Sequence, residues 1–161
     1  MVKVMFVCLG NICRSPMAEC VMSKMIKDKR LDDRIKVASS ATSFEEVGNP
    51  IYPPAQRKLK EEGVEVLAHK ARRITPRDAQ EYDYIVAMEE RNVRAIKQIV
   101  ADRGNIYRLM DFSSTPKDIQ DPWWSGDFDA AYNDIAEGCK CLLKHIETND
   151  LHISNDKNEN Q

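Results

Sequence analysis

The sequence predicts an α/β domain with a parallel sheet and helices on both faces, and three observations lead there. Short apolar runs alternate with amphipathic helical patterns along most of the chain, the pattern of strand–helix–strand units with right-handed crossovers. The opening run from Val2 to Cys8 is nearly continuously apolar, as a central strand buried on both faces must be. Four such runs are spaced for four strands, which makes the sheet Rossmann-like and four-stranded.

Taken in order, the first strand, Val2 to Cys8, leads into a helix over Pro16 to Arg30. Met17, Val21 and Met25 recur there every four residues, with Glu19, Lys24 and Lys27 falling elsewhere. Ile35 to Ser39 reads as the second strand, and Ser40 to Pro54, rich in Ser, Pro, Gly and Asn, as a loop over the carboxyl edge. Ala55 to Glu62 is helical, with Gly63 as its stop. Thr75-Pro76 opens a short helix before a third strand, Tyr82 to Met88. A helix carrying Val93, Ile96 and Val100 follows, then a fourth strand over Asn105 to Met110. Asp111 to Gly126 is a loop. Phe128, Tyr132, Ile135, Cys139, Leu142 and Ile146 form the stripe of a long last helix. The domain is expected to span 1–148, with 149–161 a disordered polar tail.

Composition narrows the functional classes. A chain of 161 residues holds one well-cored domain. A net charge of −2 gives no general attraction to nucleic acid or membrane, and no apolar run reaches membrane-spanning length. Five cysteines, an odd number without a secretory leader, point to free thiols and a cytoplasmic location. No cofactor is expected. The cysteine and histidine spacings match no common zinc site, and the loop after the first strand lacks the glycine pattern of a dinucleotide fold.

The chemistry concentrates in Cys8-Leu9-Gly10-Asn11-Ile12-Cys13-Arg14-Ser15-Pro16, between the first strand and the first helix. A helix N-terminus leaves amide N–H groups unpaired and attracts anions. Gly10 and Asn11 tolerate positive φ, which turns successive amides inward as an anion nest. Ser15 is placed to cap the helix and Pro16 to begin it. Arg14 offers a planar fork for two phosphate oxygens. The same positive field favours the thiolate of Cys8, a nucleophile inside a phosphate cradle. Spacing alone is weak: with 11 arginines in 161 residues, a cysteine meets an arginine six positions on in roughly one case in fifteen. The strand before the loop and the helix after it give the pattern its meaning.

Transfer of a phosphoryl group from an ester also needs a proton for the leaving oxygen. Asp121 in Asp121-Pro122-Trp123-Trp124 is the candidate acid. Its adjacent tryptophans are suited to wall an aromatic ester, or alternatively to anchor the loop to the core.

The nucleophile loop near the N-terminus, with Asp-Pro and two aromatics near residue 121, resembles the low-molecular-weight protein tyrosine phosphatases. So do Ser40-Ala41-Thr42-Ser43, Gly48-Asn49-Pro50, Ile74-Thr75 and Tyr82-Asp83-Tyr84-Ile85. The resemblance implies hydrolysis of phosphotyrosyl proteins and aryl phosphates without a metal, through a phosphocysteine, by a monomer or weakly self-associating protein. Cys8 would be the nucleophile, Arg14 the phosphate-binding group and Asp121 the acid and then the base. Leu9, Gly10, Asn11, Ile12 and Cys13 would line the cradle, and Phe44, Trp123 and Trp124 the aromatic walls. Ser15, Asn11, Ser39 and His69 would hold the loop in shape. Relatives also suggest a reversible disulfide between Cys8 and Cys13.

Two departures concern specificity. Trp123-Trp124 stands where tyrosines are usual, and Phe44-Glu45-Glu46 places a carboxylate where an aromatic is common. The rival readings are a protein-arginine phosphatase, an arsenate reductase and a phosphopeptide-binding module. The first tends to have Thr at the position of Ile12. The second needs further cysteines, and none stands between Cys20 and Cys139.

Overall fold

Residue alternation along β1 (Val2–Cys8) divides the core in two. Val4, Phe6 and Cys8 face one side of the sheet, and Met5 and Val7 the other. The chain then runs through α1 (Arg14–Asp28), β2 (Ile35–Ala41), α2 (Pro53–Glu61), α3 (Pro76–Glu81), β3 (Tyr84–Ala87), α4 (Glu90–Ile99) and β4 (Ile106–Arg108). A 3-10 turn at Leu109–Phe112, α5 (Pro122–Ser125) and α6 (Phe128–Asn149) complete it. The computed structural model describes residues 1–153.

The four strands are parallel, in the order β2-β1-β3-β4. Against Val4, Phe6 and Cys8 pack α1, α2 and α6, through residues such as Met17, Met22, Leu59, Ile135 and Leu142. Against Met5 and Val7 pack α3 and α4, through Ala79, Val93 and Ile96. Each fully buried side chain of this size contributes about 1.5–3 kcal/mol, so the two layers together fix the sheet that carries the loop.

Several boundaries differ from the sequence reading. α1 starts at Arg14, and its N-cap position is Cys13, without a side-chain cap. Ser15 is therefore inside the first turn and free to turn toward Cys8. β2 runs two residues further, because Ser40 and Ala41 still pair with Val7 and Cys8. α2 opens on Pro53 and Pro54, whose missing N–H groups cost nothing in a first turn. β3 is shorter, since Tyr82 ends α3 by donating its amide to the Asp78 carbonyl at 3.0 Å. β4 stops at Arg108, where the Asp111 carboxylate takes the Arg108 amide and guanidinium and winds the chain into the 3-10 turn. The stretch 149–153 is placed: Leu151 and Ile153 pack on the core, and the Ile153 amide donates to the Glu147 carbonyl at 2.7 Å. The remainder of the expected tail, 154–161, lies outside the described residues.

Gly138 sets the approach of α6 to the 3-10 turn at Leu109–Phe112. A Cβ there would lie 2.5 Å from Cγ of the fully buried Leu109. Gly138→Ala should gain about 1 kcal/mol of helix propensity and lose about 1–3 kcal/mol to overpacking. We expect a lower thermal midpoint in a calorimetric scan; an unchanged or raised midpoint would contradict this packing.

Candidate active site

β1 leads through α1 to β2 on one side, and the chain returns to β3 on the other, so strand order reverses beside the carboxyl end of β1. Ligands of open α/β sheets sit at such a point. Cys8 is the last residue of β1 and Arg14 the first of α1, so the loop between them occupies it.

Cys8 is buried, and its Sγ is 3.0 Å from the Ser15 hydroxyl and accepts the Asn11 amide at 3.2 Å. The Asn11 amide and the Ser15 hydroxyl fix the direction of the sulfur. Asn11 holds the loop from four sides. Its Nδ2 donates to Ser15 Oγ at 2.8 Å and Ser39 Oγ at 3.0 Å, and its Oδ1 accepts the Arg72 amide at 3.1 Å. Its carbonyl oxygen lies 2.6 Å from His69 Nε2, which must therefore be the donor. Asn11 takes a φ of +60°, a left-handed conformation that these bonds hold in place. Gly10, expected to share it, is not in that region. Its lack of a Cβ matters for another reason, since Glu46 Cγ would stand 3.4 Å from one.

Arg14 is almost wholly buried, so its charge requires partners. Its Nη1 donates to the Ile119 carbonyl at 2.8 Å and pairs with Glu89 Oε2 at 3.3 Å; its Nη2 lies 3.4 Å from Asp121 Oδ2. The other Asp121 oxygen accepts the Trp123 amide at 3.1 Å and caps α5. One carboxylate thus stands beside the buried guanidinium while its loop is anchored independently.

Cys8, Arg14 and Asp121 line a cavity of about 220 Å³ together with Leu9, Gly10, Ile12, Cys13, Ser43, Glu45, Glu46, Trp123 and Trp124. The Asn11 side chain, expected in the cradle, is turned to the hydrogen bonds behind the loop instead. Burial first, then the neighbouring Cys8 and Asp121, push the Cys13 thiol far up, so it stays protonated at neutral pH. Trp123 combines both roles considered for it, walling the cavity and packing at a tilt of 50° against Tyr52, with 4.6 Å between ring centroids. Phe44 departs from expectation. It is exposed, does not line the cavity, and lies under the Arg73 guanidinium at 4.2 Å, while Glu45 and Glu46 stand at the wall. Ser39 and His69 lie behind the loop, as bonded partners of Asn11.

Sequence reasoning missed Glu89, Glu19 and Tyr52. Glu89 follows β3 at the same carboxyl edge as Cys8, which is a signal that was available. Glu19 accepts the Ser39 hydroxyl at 2.6 Å, and Tyr52 donates its amide to the Ile12 carbonyl at 2.8 Å; both depend on long-range folding. Glu89→Gln removes one of the two charged partners of a buried guanidinium and should lower kcat/KM about tenfold. Steady-state kinetics on a phosphotyrosyl peptide check it, and unaltered constants would deny Glu89 a part in orienting Arg14.

Among the described residues no group of three His, Cys, Asp or Glu side chains is placed to hold a metal ion, and no helix is long and apolar enough to cross a membrane. The profile of the family described as low molecular weight phosphotyrosine protein phosphatase matches residues 3–151. The chain is 35% identical over 151 residues to the low molecular weight protein-tyrosine-phosphatase YfkJ of Bacillus subtilis, covering 91% of this chain and 97% of that one. Over 148 residues it is 36% identical to the low molecular weight protein-tyrosine-phosphatase PtpA of Staphylococcus aureus, covering 91% and 94%. The crystal structure of YfkJ superposes with a TM-score of 0.89 at 34% identity, covering 93% of this chain and 97% of that one. That of a Drosophila arginine phosphatase superposes with a TM-score of 0.85 at 31% identity, covering 92% and 100%. The site thus belongs to an enzyme that hydrolyses phosphoric monoesters. The chain is a member of the low molecular weight phosphotyrosine protein phosphatase family.

Proposed function

We propose that this phosphatase hydrolyses phosphotyrosine in proteins through a phosphocysteine, with Cys8, Arg14 and Asp121 as its catalytic residues. The Cys8 thiolate attacks phosphorus, and the bond from phosphorus to the tyrosyl oxygen breaks. Arg14 and the amides of the 8–14 loop take the non-bridging oxygens, where charge accumulates. Asp121 gives its proton to the departing oxygen. As a carboxylate it then takes a proton from water attacking the phosphocysteine, which returns the thiolate and releases orthophosphate. The observation that carries this reading is the position of Asp121 Oδ2, 3.4 Å from Arg14 Nη2 on the cavity that also contains Cys8.

Arginine phosphatase activity is the second reading, favoured by the structural similarity to the Drosophila enzyme. Ile12, which lines the cavity, supports the tyrosine reading. Hydrolysis of a phosphotyrosyl and a phosphoarginyl peptide, side by side with EDTA present, separates the two. We expect the phosphotyrosyl peptide to be turned over faster; the reverse preference would assign the enzyme to phosphoarginine. We place the protein in a reducing compartment, in keeping with five free cysteines and a cytoplasmic setting.

A further inference from the structure

We propose that the mouth of the cavity selects phosphotyrosyl segments carrying lysine or arginine beside the phosphotyrosine, with Glu45 and Glu46 as the specificity-determining residues. The inference rests on the phosphotyrosine reading above and deepens it.

Two observations lead to it. First, among the described residues the large apolar side chains that remain exposed are Met1, Leu9, Phe44, Val47, Trp123 and Trp124. All but Met1 sit on the three segments that line the cavity, so apolar exposure is concentrated where a polypeptide substrate must approach. Second, the charge at this mouth has the wrong sign for a bare phosphate dianion. Of the described residues lining the cavity, Arg14 is the one cation, against Glu45, Glu46 and Asp121. Arg14 is already shared between Asp121 and Glu89.

Glu46 is held in this position. Its Oε2 accepts Asn49 Nδ2 at 2.6 Å, and its Cγ passes close over Gly10 of the phosphate loop. The Glu45 amide donates to Ser43 Oγ at 3.0 Å, a turn that brings residue 45 to the wall. The nearby arginines do not offset these carboxylates at the wall. Arg73 is drawn over Phe44 and donates to the Thr42 carbonyl, and Arg91 lines an adjoining hollow that shares Leu9, Asp121 and Trp124 with the cavity but neither Glu45 nor Glu46. A cation next to the phosphotyrosine would offset both carboxylates, while an acidic neighbour would add to the repulsion.

The test is kcat/KM for matched phosphotyrosyl peptides with lysine, alanine or glutamate on either side, alongside an aryl phosphate without flanks. For the wild type we expect the lysine-flanked peptide to exceed the glutamate-flanked one about tenfold at low salt, with the ratio shrinking at high salt. In E45Q/E46Q the ratio should approach one, and in E45K/E46K it should invert. Equal turnover of all flanks by the wild type overturns the inference and leaves the phosphatase reading intact. A preference that survives in E45Q/E46Q also overturns it. So does a dimer in sedimentation that Trp124→Ala dissolves, which would make the apolar collar a surface for a second copy of the chain. Failure to hydrolyse the aryl phosphate and every phosphotyrosyl peptide would instead defeat the phosphatase reading itself.

Discussion

Cys8→Ser is expected to lower kcat on a phosphotyrosyl peptide by about 10⁴-fold or more, because a nucleophile removed from a covalent mechanism leaves only binding and charge stabilisation. A hydroxyl at this position sits among the same partners, Ser15 Oγ and the Asn11 amide, but those contacts cannot make an alkoxide as available as a thiolate. Arg14 and the loop amides are untouched, so the variant should still bind the phosphopeptide. Single-turnover kinetics and calorimetric binding, measured together, decide the matter. Residual turnover within about a hundredfold of wild type would mean that phosphorus is attacked by something other than Cys8.

Asp121→Asn comes next in size, with an expected loss of about 10²–10⁴-fold in kcat on phosphotyrosine. Asn is the informative substitution, since its side-chain oxygen can still accept the Trp123 amide and keep α5 capped, where Ala would lose about 0.5–2 kcal/mol of local stability. The loss should shrink on aryl phosphates whose leaving oxygen needs no proton. A uniform loss across leaving groups would move Asp121 from proton transfer to positioning, and wild-type rates would remove it from the mechanism.

The loop between β1 and α1 was legible because its pattern is local. A strand, five residues of turn and a helix start are contiguous, and the amides, Cys8 and Arg14 lie within that one stretch. The long stripe of α6 and the apolar run of β1 were equally plain, since burial on one or both faces writes a period into the residues themselves. Ser15 shows the limit of such reading. A serine followed by proline suggests a helix cap, yet the helix begins one residue earlier and the hydroxyl serves Cys8. Phe44 shows it again. An aromatic beside the site suggested a wall, but Arg73, from 29 positions along the chain, takes its ring and leaves the cavity to Glu45 and Glu46.

The sequence by itself determined the alternating α/β architecture and the family, and it singled out Cys8, Arg14 and Asp121 as candidates, because each depends on contiguous residues or on motifs of the family. Only the tertiary structure decided how Arg14 is shared between Glu89 and Asp121, how Asn11 is held by Ser39, Arg72 and His69, and which side chains stand at the mouth. Those contacts join residues up to 107 positions apart. They exist because the parallel sheet brings the carboxyl ends of its strands to one edge, where the loops converge.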